Sequence, residues 1–147
     1  MKLEYFADEK GLNDLLETYA ETFAMIDDYG KQFIQGVLST QEDYKNCLNQ
    51  LTGAYIILEP LYNVAVAYKE NQELKFYVEK KREMEGKGEK VVATNLEKEA
   101  AYSVEYIRRV RNILEAYVAA TEKGIITAQT QMKNLTQDTK YKASQEA

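Results

Sequence analysis

The chain has 147 residues, of which 45% are hydrophobic and 29% charged, as is typical of one globular domain. It contains no His and one Cys, so it lacks the side chain most used for proton transfer near neutral pH. A single chain also cannot form a disulfide or a thiolate zinc site. With seven Gly and one Pro, few residues interrupt regular structure, and long helices are expected.

The net charge of −5 is unevenly distributed along the chain. Residues 1–30 contain two basic and eight acidic side chains, whereas residues 31–147 contain 17 basic and 16 acidic ones. The acidity therefore belongs to the first helix. A protein that binds nucleic acid over a broad surface usually has a strongly basic composition, and this chain does not.

No export signal or membrane span is predicted. Met1–Gly11 is acidic where a signal peptide needs a basic and then an apolar run. The most apolar stretch, Ala54–Tyr68, is interrupted by Glu59, Pro60 and Asn63, so it is too polar to span a bilayer. We therefore expect a cytoplasmic protein without a membrane partner.

The first predicted helix covers about residues 11–38. Its apolar residues recur at alternating steps of four and three, which is the spacing of a helix that packs along one face. Asn13 is a candidate N-cap, and Gly30 falls on the stripe, where it marks a close helix contact or a local break. The stripe consists of Leu12, Leu16, Tyr19, Phe23, Ile26, Gly30, Phe33 and Val37.

The second predicted helix covers residues 40–85, and Ser39 with Glu42 fits a capping box at its start. Pro60 lies in its middle, where a proline usually kinks or ends a helix. The apolar stripe keeps its phase across Pro60, which favours one kinked helix over two tightly joined helices. Its strongest part consists of Tyr44, Leu48, Leu51, Tyr55, Leu58, Tyr62 and Ala65.

One clear turn follows at Gly86–Lys90, where Gly86 or Gly88 can adopt the left-handed conformation that ends a helix. Thr94 and Glu97 fit a second capping box, and the last predicted helix covers residues 94–135. Residues 136–147 have no apolar stripe and are expected to form a flexible polar tail.

These elements predict an all-α protein in which residues 1–135 form a single elongated domain. The short turn makes the two long helices antiparallel, and the result is a coiled-coil-like hairpin. The shorter first helix packs on one end of that hairpin. A two-helix arm buries little apolar surface by itself, so we expect a homo-oligomer.

Arg108, Arg109 and Arg111 lie within four residues, and Arg111 falls on the apolar stripe of the last helix. Three roles are open for these arginines. Arg111 can pair with Glu105 or Glu115 across one helical turn, as a structural contact. It can specify an interface between chains, or the cluster, with Arg108 and Arg109, can contact phosphates.

A second basic group lies at the end of the predicted arm, close to the glycines of the turn, whose backbone amides could face an anion. It lacks the Lys-Ser/Thr ending of a phosphate loop, and interleaved glutamates favour a solvated, neutralised hairpin tip. We call this group the basic tip: Lys80, Lys81, Arg82, Lys87 and Lys90.

The chain contains twelve Tyr, four Phe and no Trp. The tyrosines on the second stripe are expected in the core, whereas Tyr102 and Tyr106 lie among charges on the arm. Exposed aromatic residues beside basic ones can stack nucleobases, but tyrosine is also common at protein interfaces, and the weak charge favours a protein contact. Cys47 is expected to be a small buried residue.

No combination of residues indicates catalysis. Carboxylate pairs occur on every helix, but none is distinguished as an acid and a base, and dinuclear metal sites of helical bundles need histidine. We therefore expect no enzymatic activity, no cofactor, no metal and no small-molecule substrate.

The segment from Tyr68 to Leu135 resembles the small phage recombination-mediator proteins of UvsY type. The resemblance rests on a charged helix, the Gly86-Lys87-Gly88 turn, the lead-in Lys90–Thr94, and a long helix with Ile107, Leu114 and Gly124-Ile125-Ile126. Such proteins are helical and oligomeric, and they help to load a recombinase onto single-stranded DNA. The resemblance implies that the basic tip contacts DNA. The acidic first helix departs from the family pattern.

Three functions therefore stay open: a phage-type recombination mediator or accessory factor, an inhibitor or adaptor, and a virion assembly subunit. The mediator would contact single-stranded DNA and its binding proteins in a bacterial host cell. The adaptor would bind a basic protein partner through the acidic first helix, including Asp27 and Asp28.

Overall fold

A computed structural model describes residues 2–146. The described chain contains no strand, so the predicted all-α class is confirmed. A short 3₁₀-helix covers Leu3–Phe6 and is followed by five α-helices. Their bounds are α1 Glu9–Thr18, α2 Ala20–Gln35, α3 Gln41–Gly86, α4 Ala93–Ser103 and α5 Glu105–Glu146.

The predicted first helix is two helices, because the backbone leaves the helical conformation at Tyr19. Asp8, and not Asn13, caps α1: its Oδ1 accepts a hydrogen bond from the Gly11 N–H at 2.8 Å. α2 ends before the predicted residue 38, because Gly36 adopts the left-handed conformation with φ of 65°. The N–H groups of Gly36 and Val37 then donate to α2 carbonyls, which closes the helix.

α3 is one uninterrupted helix of 46 residues that contains Pro60. Its cap lies one residue later than the predicted Ser39. Thr40 Oγ1 accepts from the Asp43 N–H at 3.1 Å, and Asp43 Oδ2 accepts from the N–H groups of Ser39 and Thr40, both at 3.0 Å. This is a capping box with aspartate in place of glutamate.

Gly88 ends α3 in the left-handed conformation, with φ of 70°. The Glu89 N–H donates to the Met84 carbonyl at 2.9 Å and the Gly88 N–H donates to the Glu85 carbonyl at 3.1 Å. This pair of hydrogen bonds is the Schellman motif, which satisfies the last carbonyls of a helix.

The predicted helix 94–135 is divided at Val104, and neither Gly nor Pro lies near the break. α4 begins at Ala93, where Val92 is the N-cap without a side-chain hydrogen bond, so the predicted capping box at Thr94 is wrong. α5 continues to Glu146, whereas the sequence pattern predicted a tail from residue 136; Ala147 lies outside the described residues. The segment remains helical because it contains no helix breaker, although all its side chains are exposed.

The chain divides into two compact units. In the first, residues 2–17 pack with residues 60–114, and the Phe6 and Tyr68 rings lie 5.8 Å apart. Its buried side chains include Phe6, Leu15, Leu61, Ala65, Leu96, Ala100, Val104, Ile107 and Val110.

The second unit contains residues 18–59 and 115–146. Within it, the Gln41 side chain donates to the Met132 carbonyl at 3.1 Å and to Thr136 Oγ1 at 3.0 Å, which links the start of α3 to α5. Its buried side chains include Phe23, Ile26, Tyr29, Tyr44, Cys47, Leu51, Leu58, Val118, Thr121 and Ala128.

Candidate interaction surfaces

The basic tip lies on the last turns of α3 and on the turn that follows, and two of its five cations are paired. Lys87 lies 2.9 Å and Lys80 lies 3.8 Å from the Glu83 carboxylate. The hydrogen bond from Lys87 and the charges of both lysines lower the pKa of Glu83, and Glu83 in turn raises the pKa of Lys87. Glu83 therefore neutralises part of the tip, as the interleaved sequence predicts.

The other three tip residues, Lys81, Arg82 and Lys90, are exposed and form no ion pair or hydrogen bond within residues 2–146. The backbone of the turn does not add to this surface. The N–H groups of Lys87, Gly88 and Glu89 all donate to carbonyls of α3, so they do not face an anion. These three amides therefore form no anion cradle, which agrees with the favoured prediction of a solvated tip, and the charge of the tip comes from its side chains.

The three arginines at the start of α5 have different surroundings. Arg108 donates to the Ala101 carbonyl at 2.9 Å, across the break between α4 and α5. Arg109 pairs with Glu105 and lies over the Tyr106 ring, 5.4 Å from its centroid. Arg111 donates to Asn112 Oδ1 at 2.8 Å.

The expected pairing of Arg111 with Glu105 or Glu115 is therefore wrong. Fully buried Val110 occupies the position on the apolar stripe that the sequence pattern assigned to Arg111. The stripe keeps its phase across the break at Val104, since Ile107, Leu114 and Val118 are buried as predicted. Between Ile107 and Leu114 the buried residues follow a step of three and then four, which places Val110 on the stripe instead of Arg111. Arg108 contributes to local structure, and Arg111 is turned toward the protein surface.

The tyrosines also differ in their burial and hydrogen-bond partners. Tyr44 is buried and its hydroxyl donates to the Leu38 carbonyl at 2.7 Å. Tyr55 is half-buried and donates to Glu59 Oε1 at 2.7 Å, an interaction that raises the pKa of Tyr55 to about 12. Tyr102 is 77% exposed beside a shallow cavity of about 380 Å³, which is also lined by Phe76 and Lys98.

Asp27 and Asp28, the acidic residues expected at a protein interface, form contacts within the second unit. Asp27 accepts a hydrogen bond from the Tyr117 hydroxyl at 3.1 Å, and the Tyr117 ring packs 4.4 Å from that of Phe23. Burial and the Asp27 carboxylate together raise the pKa of Tyr117. Asp28 accepts from Gln32 Nε2 at 2.7 Å. Asp27 thus has a structural role that its sequence position did not indicate.

One surface of the first unit was missed at the sequence level. Three carboxylates border an apolar floor between α3 and α4, in a shallow groove of about 360 Å³. Leu74 on this floor is 64% exposed. A second apolar spacing on α3, on the side away from buried Leu61 and Ala65, is the signal that could have located it. We call this surface the acidic groove: Glu70, Glu73, Leu74, Tyr77, Glu97 and Ala100.

An apolar cavity of about 290 Å³ lies in the second unit. Ile26, Tyr29 and Phe33 of α2, Leu51 of α3 and Gly124 of α5 are among the residues that line it. The Tyr29 hydroxyl donates to Gln50 Oε1 at 2.9 Å, which satisfies its polar end. Burial is the main cause that raises the pKa of Tyr29.

Within residues 2–146, no group of three or more acidic or Cys side chains is arranged to hold a metal ion. Over the same residues, none of the helices combines the length and apolarity needed to cross a bilayer. Comparisons of the chain with models of protein families, with curated proteins and with solved structures gave no match.

Proposed function

We propose that this chain is a non-enzymatic, self-associating helical protein that binds single-stranded DNA as a phage-type recombination mediator or accessory factor. The observation that carries the proposal is the set of three unpaired cations at the basic tip, Lys81, Arg82 and Lys90. Cations without an intramolecular partner are available to phosphates, and their contacts release counterions from the nucleic acid. The resemblance to mediators of UvsY type assigns the same residues to DNA.

An exposed aromatic residue of the first unit supports the same function. Tyr102 is exposed in a shallow cavity that is also lined by Phe76, Lys98 and Glu99. Its ring can stack on an unstacked base, and Lys98 offers a charge to an adjacent phosphate. Base stacking on an aromatic ring tolerates any sequence, so such a protein would bind single strands without strong sequence preference. We expect it to act in the cytoplasm, in a bacterial host cell.

The proposed architecture is an antiparallel helical hairpin that self-associates. In the second unit, Gln41 near the start of α3 contacts Met132 and Thr136 late in α5. In the first unit, Leu74 and Tyr77 share the acidic groove with Glu97 and Ala100 of α4. An early residue of α3 thus contacts late residues of α5, and later residues of α3 share a groove with α4, which supports antiparallel packing.

The direct test is fluorescence anisotropy of a labelled single-stranded oligonucleotide titrated with the protein at several salt concentrations. With three phosphate contacts, the slope of log K against log[salt] should be about −2, since each contact contributes about −0.7 on a single strand. Lys81→Glu/Arg82→Glu/Lys90→Glu should remove binding at low salt. Binding that persists in this variant would contradict the assignment of the tip.

A matched control reverses three exposed lysines of α5, Lys133→Glu/Lys140→Glu/Lys142→Glu. This variant has the same change of net charge as the tip variant, so it separates the local contribution of the tip from the overall charge. We expect the control to retain most of the affinity. Equal losses in the two variants would mean that no local site exists.

An adaptor that binds a basic protein is a second candidate, because Glu17, Glu21 and Asp28 on α1 and α2 are all exposed. Such a protein would show no salt-dependent shift with the oligonucleotide. It would instead bind a basic protein, and neutralising these three acidic residues would weaken that binding. A virion assembly subunit would show neither interaction and would form large particles.

A further inference from the structure

The exposed face of α3 in the first unit has a regular pattern of its own. Along that helix, residues recur at alternating steps of three and four, so they form one stripe. All but Tyr77 are exposed, and Tyr77 is half-buried. The stripe lies on the opposite side of α3 from the buried residues Leu61 and Ala65. It consists of Ala67, Glu70, Leu74, Tyr77 and Lys81.

The centre of this stripe is apolar and its two ends have opposite charge. Leu74 and Tyr77 form the centre and belong to the floor of the acidic groove. Glu70 lies one turn before this centre and Lys81 one turn after it. Neither forms an ion pair or hydrogen bond within residues 2–146, whereas neighbouring Glu73 lies 2.9 Å from Lys69. The two unpaired charges are thus available to another molecule.

We propose that this face is a two-fold interface with a second copy of the chain. In it, α3 of one copy lies antiparallel on α3 of the other. Leu74 of each copy then packs on Tyr77 of its partner, because the two residues are symmetric about the midpoint of the stripe. Glu70 and Lys81 are symmetric about the same midpoint, so each carboxylate faces an ammonium group. Lys81 is then paired in the dimer, and Arg82 and Lys90 remain the tip cations that can contact DNA.

The charges favour this arrangement over two others. A parallel pair in register would bring Glu70 against Glu70 and Lys81 against Lys81, which is repulsive. A basic helix of another protein would match the acidic groove, but it would bring like charge against Lys81. The antiparallel copy satisfies both ends of the stripe. The inference rests on the self-association in the proposed function and names the surface that would perform it.

The first test measures mass by sedimentation equilibrium over a wide range of protein concentration. Wild type should show a reversible monomer–dimer equilibrium. Leu74→Ser should raise the dissociation constant at least about tenfold, because a central apolar contact of an interface is lost. Ile34→Ser is the matched control, since Ile34 is 88% exposed on α2, and it should leave the equilibrium unchanged. A monomer at every concentration, or equal effects of the two variants, would overturn the proposal.

The second test uses charge reversal and mixing. Glu70→Lys alone and Lys81→Glu alone should each raise the dissociation constant about five- to tenfold, because each dimer then contains two like-charge pairs. An equimolar mixture of the two variants should form a mixed dimer about as tight as wild type. In that mixed dimer, the lysine introduced at position 70 of one variant faces the glutamate introduced at position 81 of the other. The unchanged Lys81 of the first variant faces the unchanged Glu70 of the second, so both contacts are attractive. A parallel interface would leave each single variant about as tight as wild type and would make the mixed dimer tighter than wild type. An unrelated surface would respond to neither substitution, and either result would contradict the antiparallel assignment.

Oligonucleotide binding is measured on wild type, Leu74→Ser and Glu70→Lys, all of which keep the cations of the basic tip. Loss of dimer in Leu74→Ser with salt-dependent DNA binding retained would support the interface and leave the DNA assignment standing. Dimerisation without any DNA binding in wild type would support the interface and contradict the proposed contact with DNA. Mutual rescue of the charge variants distinguishes a specific contact from variants that fold poorly, and circular dichroism checks their helix content.

Discussion

Gly11 and Gly30 both lie within helices but have opposite surroundings. A Cβ at Gly11 would overlap the Glu4 carbonyl oxygen, which is backbone, whereas a Cβ at Gly30 would meet nothing within 4 Å. We predict that Gly11→Ala lowers the free energy of unfolding by about 1–3 kcal/mol, because residues 3–6 must move. Gly30→Ala should raise it by about 0.5–1 kcal/mol through helix propensity. Urea unfolding measures the free energy of unfolding of both variants. A change of the same sign in Gly11→Ala and Gly30→Ala would contradict the predicted contact at Gly11.

Cys47 is fully buried on α3, and burial raises the pKa of its thiol to about 11. The thiolate is the reactive form, so a buried thiol with a raised pKa should be inert. We predict that a thiol reagent at pH 8 modifies Cys47 only as fast as the protein opens, and that urea accelerates the reaction strongly. Rapid, stoichiometric labelling of the native protein would contradict this burial. A cysteine introduced at exposed Ile34 gives the fast reference.

Gly11 and Cys47 also differ in how far the sequence could predict their surroundings. Cys47 was expected in the core as a lone, small apolar residue flanked by Asn46 and Leu48 on a helix, and its burial is confirmed. The requirement for glycine at position 11 depends on the 3₁₀-helix at Leu3–Phe6, which folds back onto α1. That contact involves backbone rather than a side-chain pattern, so no periodicity indicated it.

At the scale of elements, the junction between α4 and α5 depends on one arginine. The Arg108 guanidinium donates to the Ala101 carbonyl, which has no helical partner at the end of α4. We predict that Arg108→Ala lowers the free energy of unfolding by about 1–2 kcal/mol, since the bond has a charged donor. Arg111→Ala is the control and should change it by less than about 0.5 kcal/mol, because Arg111 bonds only a neighbouring surface side chain. If urea unfolding showed a larger loss of stability for Arg111→Ala than for Arg108→Ala, the proposed role of Arg108 at this junction would be wrong.

The stabilisation that Asp43 gives to the start of α3 should depend on pH. The backbone N–H groups of Ser39 and Thr40 are the main causes that lower the pKa of Asp43 from its ordinary value. The folded state thus favours the carboxylate, so its stabilisation is present above the unfolded pKa near 4 and is lost as pH falls below it. Asp43→Asn keeps an acceptor without this titration. Its melting temperature should therefore fall less than that of wild type between pH 5 and pH 3, and an equal fall in differential scanning calorimetry would contradict the cap.

Local chemistry predicted some elements correctly, although not the residues that cap α1, α3 and α4. The turn at Gly88 follows from a residue that tolerates positive φ, and the unbroken course of α3 through Pro60 follows the unchanged phase of its stripe. The breaks at Tyr19 and Val104 contain neither Gly nor Pro. The break at Val104 is accompanied by tertiary packing around buried Val104 and by the hydrogen bond from Arg108, which a single-helix pattern does not contain.

At the scale of the whole molecule, α3 and α5 each contribute to both compact units, and α1 and α2 belong to different ones. Length and composition are compatible with one domain or with two small units, so they do not locate this division. The acidic groove likewise arises only when α3 and α4 are packed together. The basic tip was predictable as a group of charges, but its separation into paired and unpaired cations depends on the position of Glu83.

The net charge of −5 should oppose DNA binding over the whole molecule. Glu17→Gln/Glu21→Gln/Asp28→Asn changes the net charge to −2, and so does Glu115→Gln/Asp138→Asn/Glu146→Gln in α5. At about 0.01 M salt the screening length is about 30 Å, so both variants should bind the oligonucleotide about two- to fivefold more tightly than wild type. At about 0.15 M salt, where that length is about 8 Å, the gain should shrink toward zero. Fluorescence anisotropy measures both, and a gain that survives in salt for the α1–α2 variant alone would mean that those acidic residues lie beside the bound strand.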